Sequence, residues 1–134
     1  MGLESLSEEC SDFIDNRAEL LRRTHGSLEV KLTKHLIERF YQRKARDYKR
    51  IDLTLVRDIV YNVLRDGRYY ATASTVIVYH PTYTIIGCFD GEQLVLKTII
   101  KTSDLEEKLR KPMKKSYKIE WKNIIILTPS RSLH

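Results

Sequence analysis

Three residues could do chemistry together: His35, Arg39 and Arg43, spaced four apart. On a helix that spacing places them along one stripe. Beside a mainly apolar set of Leu36, Ile37 and Phe40, the stripe is expected to flank the buried face. A guanidinium offers a planar fork of donors that suits phosphate oxygens. Cations beside an imidazole disfavour its protonated form, leaving a base near neutral pH. The chemistry expected is phosphate binding with a proton acceptor at hand. The same spacing also occurs on helix faces that are merely solvated.

Other reactive side chains read as structural. His80 precedes Pro81 at a strand end and reads as a turn residue; His25 falls in a loop and His134 at the last position. Cys88 has apolar neighbours and reads as a core residue. No His-Glu pattern suits a metal, and no glycine-rich loop suits a nucleotide. Tyr69, Tyr70, Tyr79 and Tyr83 fall on or near strands, where packing and base stacking are both available roles.

The elements that must position these groups follow from periodicity. Ser7 with two following glutamates starts a helix carrying Phe13, Ile14, Ala18 and Leu21, which should stop near Arg23, before Gly26. Leu28, Val30 and Leu32 alternate with other residues, as in an extended segment. Thr33 caps a second helix reaching about Arg46. Asp52 caps a third with a stripe of Val56, Ile59, Val60, Val63 and Leu64, ended by Gly67. Beyond Gly67 the period falls to two. Strands are expected over 68–73, 75–80, 83–89 and 92–101, with Asp90-Gly91 predicting a type I′ hairpin. Ser103 should cap a short helix stopped by Pro112, and 117–127 should form a strand pair or one long strand. Helices precede strands. The expected class is α+β, with N-terminal helices packed on a small antiparallel sheet, one domain over 1–134.

Composition narrows the classes. The chain has 134 residues, 42% hydrophobic and 31% charged, as in globular domains. Its wholly aliphatic runs are too short for a membrane helix, and the acidic N-terminal stretch does not read as a signal peptide. Two cysteines, Cys10 and Cys88, suggest reduced thiols and a cytoplasmic location. Net charge is +6, unevenly spread. Residues 1–20 carry −5, residues 22–50 carry +7, and residues 108–122 carry +6. Two basic blocks predict a surface for a polyanion; solubilising charge is the alternative. No carboxylate pair stands at convincing spacing in the basic region, which disfavours a metal-dependent DNA nuclease.

The segment from Leu28 to Arg43, read through Thr33, His35, Arg39 and Arg43, resembles the RegB-like phage endoribonucleases of the RelE-like ribonuclease superfamily. The helix after Asp52 and the closing Ile124-Ile125-Ile126-Leu127-Thr128-Pro129-Ser130-Arg131 follow that family's order more weakly. BrnT-like toxins share a similar His-x-x-x-Arg-x-x-x-Arg helix. The resemblance implies a RelE/RegB-like fold and cofactor-free, metal-independent cleavage of single-stranded mRNA, in host cytoplasm if viral. It places the catalytic histidine on His35 and the catalytic arginine on Arg39. The family's second histidine falls on Tyr61, a departure that leaves Tyr61, another residue such as His80, or nothing to replace it. Arg43, Arg46, Lys49, Arg50 and Arg131 become candidates for substrate contact, three of them in the insertion 44–50. A host accessory protein or an acidic antitoxin-like partner is a further expectation. The competing classes are a non-catalytic RNA- or DNA-binding regulator and a toxin-like subunit whose basic face an acidic protein covers.

Overall fold

A computed structural model describes residues 17–44 and 53–129, with 42–44 described by their backbone alone. The helix α1 occupies 17–24 and ends where His25 and Gly26 take left-handed φ values of 56° and 81°. Strand β1 (Ser27–Leu32) follows, with Leu28, Val30 and Leu32 fully buried on one side. Helix α2 covers Lys34–Lys44 and α3 covers Leu53–Asp66. On α3 the buried residues are Val56, Val60, Val63 and Leu64, the predicted stripe with Ile59 at its margin. The expected starts at Ser7 and Asp52 lie outside the described residues, as does Cys10.

Four strands then run as an antiparallel meander: β2 (Arg68–Ala71), β3 (Val76–Tyr79), β4 (Tyr83–Asp90) and β5 (Gln93–Lys101). The β4–β5 connection is Gly91-Glu92, because Asp90 pairs with Gln93. Only Gly91 in this loop has positive φ, 64°. The I′ turn would need it at both loop residues, so the hairpin follows the II′ pattern with glycine first. A short segment after β5 holds 3₁₀ turns at Thr102–Asp104 and Lys111–Lys115 around α4 (Glu107–Arg110). Ser103 therefore sits inside a 3₁₀ turn and caps nothing, and Pro112 opens the second turn, where its fixed φ and missing N–H are tolerated.

The sheet departs from the antiparallel expectation. Its seven strands run β6-β2-β3-β4-β5-β1-β7, where β6 is Tyr117–Lys118 and β7 is Asn123–Leu127. β1 is parallel to both β5 and β7, so the sheet is mixed. The segment predicted as one strand or a pair is divided between the two opposite edges. Laid flat, seven strands would set those edges about 29 Å apart. The link from Lys118 to Asn123 spans at most about 18 Å. The sheet must therefore curl into a half-barrel. A bulge helps it bend: register shifts between Ile86 and Gly87. A side chain at Gly87 would put its Cβ 2.5 Å from the Val95 carbonyl oxygen, so this bend admits only glycine without displacement.

The helices α1, α2 and α3 cover one face of the sheet and bury the main core with β1 and the meander. A smaller cluster, Ile77, Tyr79 and Leu105 with Leu109 and Met113 beside them, fills part of the other face under the α4 segment. Cys88 is a free thiol, half-buried on the central strand β4 opposite Val95, and is not part of the main core. Among the described residues no helix is long and apolar enough to cross a membrane.

Candidate functional site

The start of α2 is fixed twice. The Leu36 amide donates to Thr33 Oγ1 at 3.1 Å, the predicted N-cap. The same hydroxyl donates to the Leu96 carbonyl of β5 at 2.8 Å. Leu36 and Ile37 are fully buried, and Phe40 and Tyr41 nearly so. Phe40 stacks edge-on with Tyr41 at 5.3 Å and lies 6.0 Å from the Tyr83 ring. This anchors one side of the helix, while His35 and Arg39 are exposed on the other.

With Tyr41 added to the buried set, the apolar arc centres between Ile37 and Phe40. At about 100° per residue, His35 stands roughly opposite that arc and Arg39 nearer its border. The stripe begins further from the core than its sequence suggests. Neither the His35 nor the Arg39 side chain forms a hydrogen bond or ion pair with a described residue; an exposed ion pair on this helix is Lys34 with Glu38, at 4.0 Å. The first turn carries no acidic residue, so the positive end of the helix dipole is uncompensated and adds to Lys34. Arg43 lies one turn beyond Arg39 on the α2 backbone. Arg46, Lys49, Arg50 and Arg131 lie outside the described residues.

Tyr61 occupies a different place. It is exposed on α3, with the Arg65 guanidinium 5.6 Å from its ring. Arg65 is held in turn by Asp66, through Nε to Oδ1 at 3.0 Å and Nη2 to Oδ2 at 2.8 Å. The Arg65 hydrogen bond keeps the Asp66 carboxyl below the usual range, with the charges of Arg65, Lys118 and His80 acting the same way. A groove of about 530 Å³ lies between α3 and the β6–β7 link, with Tyr61, Arg65, Lys118, Trp121 and Lys122 in its walls. Neither His35 nor Arg39 borders it. His80 is a turn residue as expected: its Nδ1 accepts from the Thr82 amide at 3.2 Å and lies 2.8 Å from the Thr82 hydroxyl.

Trp121 reaches this groove because of a buried hydroxyl. Tyr69, on β2, donates to the Leu64 carbonyl at 2.7 Å and accepts from Trp121 Nε1 at 2.9 Å. One phenol thereby joins the end of α3, strand β2 and the link between the sheet edges. Burial pushes the Tyr69 hydroxyl far above its ordinary range. Tyr69 was expected on a strand, in packing or base stacking; its hydrogen-bond role carried no local signal, because its partners lie 5 and 52 residues away. A further cavity of about 630 Å³ between Phe40, Tyr83, Ile99, Lys101, Lys108 and Leu109 joins three distant segments and likewise had no local signal.

Among the described residues no three His, Cys, Asp or Glu side chains converge as a metal site would require. Comparison with protein-family models, curated proteins and solved structures finds no match.

Proposed function

We propose that this chain is a metal-independent endoribonuclease acting on single-stranded mRNA, with a RegB-like site on α2. The observation that carries this reading is the pair His35 and Arg39: one turn apart, both exposed, on a helix whose opposite side is anchored in the core. A strand leading into that helix, followed by an antiparallel meander, supports the RegB-like reading of the fold. The uncompensated helix N-terminus and Lys34 favour a phosphate beside the imidazole.

In the reaction, His35 takes the proton of a ribose 2′-hydroxyl and the freed oxygen attacks the adjacent phosphorus. Negative charge grows on the non-bridging oxygens, where Arg39 and, one turn on, Arg43 stabilise it. The bond to the 5′-oxygen breaks, and that oxygen takes a proton from the imidazolium or from water. The products are a 2′,3′-cyclic phosphate and a 5′-hydroxyl. General-base help contributes ~10²–10⁴-fold, and a preorganised cationic donor ~10²–10³-fold. Arg46, Lys49, Arg50 and Arg131 would extend the contact along the strand, in the cytoplasm of the host if the source is viral. Tyr61 takes the second histidine's role only where the RNA also crosses α3.

The test is incubation of purified protein with short single-stranded RNA in EDTA. Cyclic-phosphate ends are expected, with cleavage slowed by about 10²-fold or more in His35→Ala. No cleavage by the wild type, or equal cleavage by His35→Ala, refutes the proposal. The separation of Tyr61 into a groove that His35 does not border favours a second reading, a non-catalytic RNA- or DNA-binding regulator or a toxin-like subunit with an acidic partner. That reading predicts binding that weakens steeply with salt and leaves no product.

A further inference from the structure

The three large apolar side chains exposed among the described residues gather at one edge of the sheet. Ile125 is 50% exposed and Leu127 40%, and both belong to β7; Tyr61, 40% exposed, stands on the neighbouring α3. Ile124 and Ile126 pack against the core, so the alternation of the strand turns Ile125 and Leu127 to the opposite face. β7 ends the strand order. Its inner side pairs with β1, and no described strand pairs with its outer side.

The two edges are built differently. Sheet edges are ordinarily blunted by shortness, charge or proline. β6 follows that rule, with two residues of which one is Lys118. β7 breaks it, with five residues, Asn-Ile-Ile-Ile-Leu, and no charge. An unpaired backbone edge and exposed apolar side chains are separate features, and they coincide here, with Ile125 and Leu127 on one face of the edge and Tyr61 on the other.

We propose that β7 pairs with β7 of a second copy of this chain, antiparallel about a two-fold axis beside Ile125. The strand itself argues for that occupant. Its isoleucine triple is symmetric about Ile125, so Ile125 meets the partner's Ile125 and Ile124 meets the partner's Ile126. The lack of charge on the strand means that self-pairing opposes no like charges. Under the strand, a groove of about 300 Å³ is walled by Arg57, Asp58, Tyr61, Ile124 and Ile126. A cation and an anion side by side near a two-fold axis are self-complementary: Arg57 faces the partner's Asp58, and the reverse. The two sheets then join as one: Ile125 is covered from the side by the partner's Ile125 on one face, while Tyr61 stands beside the seam on the α3 face.

Sedimentation equilibrium over a range of concentrations tests this. Twice the 15.8 kDa chain mass is expected for the wild type. Ile125→Lys should raise the dimer dissociation constant on the order of 10²-fold, since it puts a charge at the centre of the contact. Ile125 is half-exposed, so the fold should survive, and circular dichroism checks that it does. Ile125→Thr should weaken the dimer less, and Lys118→Ala, at the other edge, should leave it intact. Hydrogen exchange gives a second readout, with β7 amides protected in the wild-type dimer and not in Ile125→Lys. A wild type that stays monomeric at every concentration overturns the proposal. So does a dimer that Ile125→Lys leaves unchanged, or a monomer whose β7 pairs with another protein's strand. None of these outcomes depends on cleavage of RNA.

Discussion

Replacing Tyr69 by phenylalanine removes one oxygen atom and leaves the ring in place, so no large cavity is created. The loss falls on two partners. The Leu64 carbonyl lies near the C-terminal end of α3 on a fully buried residue and loses a donor 2.7 Å away. Trp121 Nε1 loses its acceptor at 2.9 Å. A buried polar group left unpaired costs about 1–3 kcal/mol, while the half-buried indole can recover part of its bond from water and loses about 0.5–1 kcal/mol. The sum is about 1.5–4 kcal/mol. With a urea dependence of ~1–3 kcal/mol per molar for a domain of this size, the midpoint should fall by about 0.5–4 M, and by about 1.4 M at the middle of both ranges. Trp121 is the single tryptophan of the chain, so its fluorescence follows unfolding and also reports the β6–β7 link directly. Native emission of Tyr69→Phe should shift to longer wavelength as the indole loosens into water. A stability loss under about 0.5 kcal/mol with native emission unchanged would show that the phenol does not hold the sheet's two edges to α3.

Other consequences are open to measurement. Gly87→Ala should destabilise by about 1–3 kcal/mol in denaturant melts, because its Cβ meets the Val95 carbonyl oxygen, a backbone atom that cannot swing away as a side chain could; an unchanged midpoint would mean the bulge relaxes freely. Burial lifts the hydroxyls of Tyr79 and Tyr117 from 10.0 to about 12, with the neighbouring Tyr70 adding to each and Arg17 opposing at Tyr117. A raised pKa on an acid favours its neutral form in the fold, so this stabilisation is complete below pH 10.0 and is lost as the pH rises towards about 12. Part of the tyrosinate absorbance should therefore appear only together with loss of circular dichroism; complete tyrosinate formation with the fold intact would contradict it.

Much of the site is local and could be read from the chain. Thr33 stands before the first helical residue with a hydroxyl suited to the Leu36 amide, and Leu36, Ile37 and Phe40 at helical spacing identify the side that must leave water. His35 and Arg39 are exposed because they occupy the remaining arc of the same helix. The orientation of the stripe was less legible, since Tyr41 has a polar tip and its burial depends on Phe40 and its other neighbours. Where Tyr61 belongs was not legible at all. A helical wheel shows that it leaves the core side of α3, yet its neighbours Trp121 and Lys122 come from the link between the sheet edges.

The same division runs through the whole fold. Periods of 3.6 and 2, with Thr33 as cap and Gly91 at a turn, suffice to say which segments coil, which extend, and which side of each is buried, because those properties depend on residues a few positions apart. The pairing order was decided only in three dimensions. Every strand offers the same backbone donors and acceptors, so local pattern does not say that β1 runs parallel between β5 and β7. Nor does it say that Tyr117–Lys118 and Asn123–Leu127 take opposite edges. That choice follows from burying the apolar sides of three helices against one curled face, a requirement on the chain as a whole.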